Sequence, residues 1–242
     1  TFSKKITFTS LMEAALDGAQ IIVIAVPSHS VREIVASANG FINDNAIIVN
    51  LAKGLETNSL LTMSAVIGEE IKRKSVPIVS LYGPSHAEEV VQKIPTTLVA
   101  ASVNENSSKK VQQIFSSNVL RVYTNNDIIG VECGGSLKNV IAIAAGICDG
   151  ICFGDNTKAA ILTRGIAEMT RLGVAMGARE MTFAGLSGIG DLIVTCFSKH
   201  SRNRYVGEEI GKGRKITEIL AEMDMVAEGV KTTQAVFQLC QK

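Results

Sequence analysis

The run AQIIVIAV, residues 19–26, constrains this chain more than any other segment. It is continuously apolar and rich in β-branched side chains, and Pro27 stops it. Such a run suits a parallel strand buried on both faces, which requires helices packed above and below it. The flanking sequence supplies them. Residues 10–16 (SLMEAAL) read as a helix with Ser10 as N-cap and Glu13 three residues on, the spacing of a capping box. Residues 30–38 read as the next helix, closed at Gly40. The alternation continues with a strand at 46–51, a helix at 58–73 and a strand at 76–81, after which Gly83 and Pro84 turn the chain. Strands at 96–101 and 120–123 follow, with a helix at 107–115 between them. Repeated β-α-β units imply a doubly wound parallel sheet of the Rossmann-like class.

From Asp127 onward the strand signals fade. Residues 127–147, 157–176, 202–210, 217–223 and 230–240 carry helical periodicity, and Gly177, Gly211 and Gly213 stand where stop signals are expected. The chain therefore divides into an α/β domain over residues 1–126 and an all-helical domain over residues 127–242.

Composition excludes several functions. Lys and Arg total 24 against 23 Asp and Glu, a net charge of +1, which argues against a nucleic-acid partner. Hydrophobic residues at 46% argue against disorder. The longest apolar runs, residues 21–26 and 140–147, fall short of the roughly 20 residues that span a bilayer. The five cysteines include no CxxC pair, so buried free thiols in a reducing cytoplasm are expected, with Cys148 and Cys152 both in the core. His29, His86 and His200 lack metal-ligand spacing, and no metal site is expected. Glu69-Glu70 and Glu88-Glu89 read as solvated helix faces.

Four segments could carry chemistry. In ECGGSLKNV, Lys138 lies one helical turn beyond Gly134 and Gly135. Helical side chains lean toward the N-terminus, which carries Lys138 over the two glycines. Either a ligand approaches the backbone there beneath an ammonium, or the glycines mark a tight helix crossing beside a surface lysine; spacing alone leaves the two even. In GIGDLIVTCFSKHSRNR, Ser201 caps a helix starting at Arg202, and a helix N-terminus with a guanidinium and the Asn203 amide suits a phosphate. An ordinary capped helix with a basic surface of Lys199, Arg202 and Arg204 is, on the residues alone, somewhat the stronger reading, and Asp191 could be a plain N-cap. Lys53-Gly54 and Gly83-Pro84-Ser85 each follow a strand, at the sheet edge where open α/β folds bind ligands.

Taken in order, AVPS, AKGLE, GPSHAEE, VYTNNDIIGVECGGSLKNVIAIAAGICDG, GLSGIGDLIVTC, SRNR and VAEGVKT resemble the bacterial NAD(P)-dependent glycerol-3-phosphate dehydrogenases over nearly the whole chain. The resemblance implies a Rossmann-like domain followed by a helical domain of the 6-phosphogluconate dehydrogenase type. It implies reversible reduction of dihydroxyacetone phosphate to sn-glycerol 3-phosphate with NAD(P)H, supplying phospholipid synthesis in the cytoplasm. It makes Lys138 the proton acceptor and donor. It places Lys53, Gly83, Ser85, Asp191, Ser201, Arg202 and Asn203 at the substrate. It places Lys53, Ala87, Arg202, Val226 and Glu228 at the cofactor. A sibling dehydrogenase of the same plan, or a binding module without redox activity, are the alternatives. No GxGxxG turn precedes the first strands, so relative to the family the chain reads as trimmed at both ends. The apolar faces of the helical half could support a homodimer.

Overall fold

The computed structural model describes residues 3–73 and 75–241. Thr1, Phe2 and Lys242, on which the reading of trimmed ends partly rests, lie outside the described residues. The described residues hold one five-stranded sheet in the order β1-β2-β3-β4-β5. The strands are β1 Ile21–Ile24, β2 Ile47–Asn50, β3 Ile78–Tyr82, β4 Thr96–Ala101 and β5 Leu120–Asn125. The helices with them are α1 Met12–Leu16, α2 Val31–Ala38, α3 Met63–Glu70, α4 Ala87–Val91 and α5 Glu105–Phe115.

Pairing is parallel for β1–β2, β2–β3 and β4–β5, with Ile22 beside Ile48 and Val49 beside Val79. The expected all-parallel sheet is broken at β3–β4, which pair antiparallel with Leu81 opposite Ala100. The segment between them holds only the five-residue α4. It is too short to carry the chain back along the sheet, so β4 re-enters from the edge where β3 ended. Burial on both faces holds for β2, whose four residues are all buried. It fails for β1, where Val23 is 42% exposed, because β1 is an edge of the described sheet. Successive side chains of β2 point to opposite faces: Ile48 joins Val31, Val35, Val66 and Ile67 of α2 and α3, while Val49 joins Val79, Leu81, Val111 and Val122 on the α5 side.

Several helix boundaries moved for identifiable reasons. The capping box at Ser10 does not form; Leu11 is the N-cap of α1, and its N–H bonds the Thr9 hydroxyl. The helix expected from residue 58 starts at Met63. Ahead of it the chain makes a turn closed by a Leu55–Thr62 bridge, with Leu60 buried at φ 65°. At its far end Arg73 leaves the helix to bond the carbonyls of Asn39 and Ile42.

The second half is built on α6, Ile128–Gly150, capped by the Asp127 carboxylate, which accepts from the Gly130 N–H at 2.9 Å. Around it pack α7 Gly154–Ala175, α8 Glu180–Phe183, α9 Asp191–Phe197, α10 Arg202–Gly211 and α12 Glu228–Leu239, while α11 Ile216–Ala221 packs on α10. Among the described residues α6 alone is long and apolar enough to cross a membrane, but 67% of its apolar window is buried inside the protein and it carries Glu132 and Lys138. It is a core helix. Gly177 and Gly213 adopt positive φ after α7 and α10, as stop signals do. Gly211, expected as a stop, is instead the last residue of α10 and packs on Gly150. Cys133, Cys148 and Cys196 are buried, but Cys152 is exposed just past the end of α6, and Cys240 is exposed too.

The crossing of α6 and α10 decides where the site lies. Gly146 and Gly150 face the backbone of Arg204 and Glu208, and Gly207 and Gly211 face the carbonyls of Ile143 and Ile147. A Cβ at any of these four positions would collide with backbone of the other helix. The close approach brings Ser201, Arg202 and Asn203, at the start of α10, beside Asn139 on α6 along one cleft. Replacing Gly207 by leucine should destabilise the chain by ~2 kcal/mol or more, read as a lower midpoint of urea unfolding.

Candidate active site

At the heart of the site a carboxylate lies between two ammonium groups. Asp191 Oδ1 accepts from Lys138 Nζ at 2.5 Å, and Asp191 Oδ2 accepts from Lys53 Nζ at 2.7 Å. Asp191 is 1% exposed and Lys138 5%. Each lysine has a further anchor: Lys138 donates to Thr195 Oγ1 at 2.6 Å, and Lys53 donates to the Gly83 carbonyl at 3.0 Å. An ammonium carries three hydrogens. Two are engaged on each lysine, and the third is left for the cleft that both lysines line.

Each group is delivered by a local feature of the sequence. Lys53 follows β2 and Gly83 follows β3, both at carboxyl ends of strands. Gly83 has φ 150°, and a Cβ there would meet the Thr97 carbonyl at 2.9 Å, so the position requires glycine. Asp191 opens α9 directly after a single π-helical turn, Leu186–Gly190. Thr195 lies one turn further along α9, and its hydroxyl also bonds the Asp191 carbonyl at 2.6 Å. The two readings of Gly134 and Gly135 each prove half right. Gly134 packs on the Ser187 carbonyl, and a Cβ on Gly135 would meet the Tyr82 ring at 2.6 Å, so both mark tight packing. Lys138 nevertheless is no surface lysine.

The electrostatics follow from burial. Desolvation, aided by the charge of Lys53 and opposed by Asp191, lowers Lys138 to about 8. Burial alone would raise the Asp191 carboxyl, but the two lysines outweigh it and hold it below the ordinary carboxylate value. Asp191 is therefore the fixed negative charge of the site, and Lys138 is the group that titrates near neutrality.

The cleft, about 800 Å³, lies between the two halves. Lys53, Ser85, Ala87, Lys138, Ser201, Arg202, Asn203, Val226 and Glu228 line it, so the structure brings together the residues singled out from sequence. Gly83 and Asp191 stand behind the lysines as their acceptors. Ser201 caps α10, its hydroxyl accepting from the Arg204 N–H at 3.2 Å. Arg204 is neutralised by Asp149 at 2.7 Å and is no part of a basic surface. The exposed Arg202 guanidinium has no ion pair or hydrogen bond among the described residues. Asn203 Oδ1 accepts from the Gly229 N–H at 2.9 Å, and Glu228 accepts from Ser28 N and Oγ at 3.0 and 2.5 Å, which tie α12 across the cleft. Glu69 is exposed as expected and Glu70 half-buried, and both pair with Arg32, at 2.7 and 2.5 Å.

Sequence reading missed Thr195 and Asn139. The signal for Thr195 was its spacing of four from Asp191, which has meaning only once residues 191–197 are seen as a helix. A second cavity, about 600 Å³, is lined by side chains such as Leu60, Ile71, Val103 and Met176, with Arg73 the one charged residue among its described lining residues.

The family model for the NAD-dependent glycerol-3-phosphate dehydrogenase C-terminus matches residues 127–242, and that for the N-terminus matches residues 1–108. The chain belongs to this family. It is 56% identical over 240 residues to a protein of Prosthecochloris aestuarii named glycerol-3-phosphate dehydrogenase, NAD(P)+, covering 99% of this chain and 72% of that one. A Clostridium perfringens protein of the same name is 50% identical over 242 residues, all of this chain and 72% of that one. The glycerol-3-phosphate dehydrogenase of Coxiella burnetii, solved as a crystal structure, superposes with a TM-score of 0.94 at 37% identity, covering 99% of this chain and 73% of that one. The Rossmann-like sheet domain with a helical second domain is thus the family architecture.

In this dehydrogenase site, Asp191→Asn removes the charge that supports protonation of Lys138. The Lys138 midpoint should fall below about 8, read from the pH profile of turnover. Leaving two ammonium groups around a neutral amide should also cost about 3–5 kcal/mol of stability.

Proposed function

We propose that this chain interconverts dihydroxyacetone phosphate and sn-glycerol 3-phosphate, using NAD(P)H as reductant and NAD(P)+ as oxidant. The observation that carries the reading is the Lys53–Asp191–Lys138 array at a cleft whose rim is the capped N-terminus of α10 with an unpaired guanidinium. One end offers an acid with a lowered pKa, the other a phosphate seat.

The residues present fit the nicotinamide part of the cofactor. Ala25, Val26 and Pro27 after β1, Lys53 after β2, and Ala87, Val226 and Glu228 share the cleft with both lysines, at the carboxyl edge of the sheet. When bound there, the nicotinamide supplies or accepts the hydride. The rest of the chemistry belongs to the chain. Arg202, with the open N–H groups of Arg202 and Asn203 at the start of α10, holds the substrate phosphate, helped by Ser201. With the phosphate held, the central carbonyl of the three-carbon substrate is directed at the lysines. During reduction, protonated Lys138 gives its free hydrogen to the carbonyl oxygen as negative charge grows there, and Lys53 stabilises the same oxygen. During oxidation, neutral Lys138 takes the hydroxyl proton. Gly83, Ser85 and Asp191 complete the substrate side.

The same reading divides the chain at residue 126 into a cofactor half and a substrate half, with no metal in the reaction. It places the enzyme in the cytoplasm, feeding glycerophospholipid synthesis, and pairs two copies through the helical half, where Met181 and Phe237 are exposed at 79% and 65%.

Two outcomes test it. Lys138→Ala should lower turnover about 10²–10⁴-fold while calorimetry still detects substrate binding; near-normal turnover would overturn the assignment. Because Lys138 is protonated below about 8 and neutral above it, reduction should decline as pH rises through that value, and oxidation should climb. The check is the pH dependence of kcat in both directions.

A further inference from the structure

A second buried carboxylate lies away from the reacting groups. Glu132 on α6 is fully buried, and its donors among the described residues, Asn50, Ser64 and Ser80, all come from the sheet half. Its Oε1 accepts from Ser64 N at 2.9 Å, Ser80 Oγ at 2.7 Å and Asn50 Nδ2 at 3.3 Å, and its Oε2 accepts from Ser64 Oγ at 2.5 Å. Desolvation is the largest influence on it and raises its pKa; the hydroxyl donors of Ser64, Ser80 and Thr62 oppose that rise.

Asn50 carries the connection onward. It is fully buried at the end of β2. Its Oδ1 accepts from the Ala52 N–H at 3.0 Å, and its Nδ2 donates to the Ala52 carbonyl at 3.3 Å and the Tyr82 hydroxyl at 2.9 Å. Tyr82, also fully buried, donates its hydroxyl to the Ala52 carbonyl and packs tightly against Gly135 of α6. Both polar backbone atoms of Ala52 are therefore held, and the next residue is Lys53. Tyr82 in turn precedes Gly83, whose carbonyl holds the Lys53 ammonium. The Tyr82 ring also lies 5.6 Å from that ammonium. One connected set of hydrogen bonds thus fixes the root of the Lys53 side chain and the acceptor at its tip.

We propose that Glu132 and Asn50 are positioning residues that set the Lys53 ammonium against the substrate oxygen. The proposal rests on the reading of Lys53 as a transition-state contact given above. Neither residue lines the cleft, so their effect must travel through Ala52 and Tyr82. A loop freed from this network lets the ammonium drift. A displacement of an ångström at a reacting centre costs about 10²-fold in rate.

The test is a double-mutant cycle with a chemical readout beside it. Glu132→Met fills the space without an acceptor, Glu132→Gln keeps an acceptor at Oε1, and Asn50→Ala removes the link even where the methionine variant does not fold. The expectation for Glu132→Met and Asn50→Ala is a fall of roughly 10–100-fold in kcat for dihydroxyacetone phosphate reduction, with KM little moved. Glu132→Gln should restore most of it. In a Lys53→Ala background the same changes should cost almost nothing more. Equal losses with and without Lys53 would overturn the proposal. Independently of turnover, the rate at which trinitrobenzenesulfonate modifies Lys53, located by peptide mass spectrometry, should rise several-fold in Asn50→Ala. Lys158, buried on α7 and paired with Asp149 of α6, should not change. Equal acceleration at both lysines would mean general loosening and would also overturn it. If the unmodified enzyme does not oxidise NAD(P)H with this substrate, the functional reading fails by itself, and the modification rates still decide the positioning claim.

Discussion

A carboxylate with almost no contact with water, Asp191, sits between two ammonium groups. Burying one charge is costly, and burying three is tolerable only when they neutralise one another at hydrogen-bond distance. With both lysines protonated the trio carries one excess positive charge. Shedding a proton from the more buried lysine relieves it, and burial lowers Lys138 to about 8. The lowered pKa of Lys138 is thus a consequence of burial and charge balance in a dry site. It depends on Asp191 being held where both lysines reach it.

That placement depends in turn on close packing of the helical half. The π-helical turn before α9 and the threonine four residues after Asp191 hold the carboxylate from its own helix. Glycines on α6 and α10 let the two backbones meet, which sets the capped start of α10 along the same cleft as Lys138. A larger residue at any of these crossings would separate the start of α10 from Lys138.

The bonds that build the site are also the bonds that join the two halves. Lys53 to Asp191, Ser28 to Glu228, and the donors around Glu132 each run from the sheet half to the helical half. Docking of the halves and assembly of the site are therefore one event. A change that loosens the interface loosens the chemistry with it.

Much of this was legible in the chain. The apolar run at residues 19–26 and its repeats announced an α/β sheet, because only a sheet covered by helices can bury such segments. The order of AKGLE, GPSHAEE, GGSLKN and SRNR announced the site, because a lysine, a glycine turn and a capped helix start are local features. What was not legible was every property that needs two distant segments at once. β4 turned antiparallel because a short linker could not cross the sheet. Cys152 surfaced because α6 ends just before it. Thr195 joined Lys138 only once α9 formed, and the glycines of α6 found their partners in Ser187, Tyr82 and α10. Residue types and their local spacing determined which groups this protein brings to its chemistry. Tertiary structure alone decided their distances and their dryness, and in a low-dielectric site those two quantities set which lysine carries the proton.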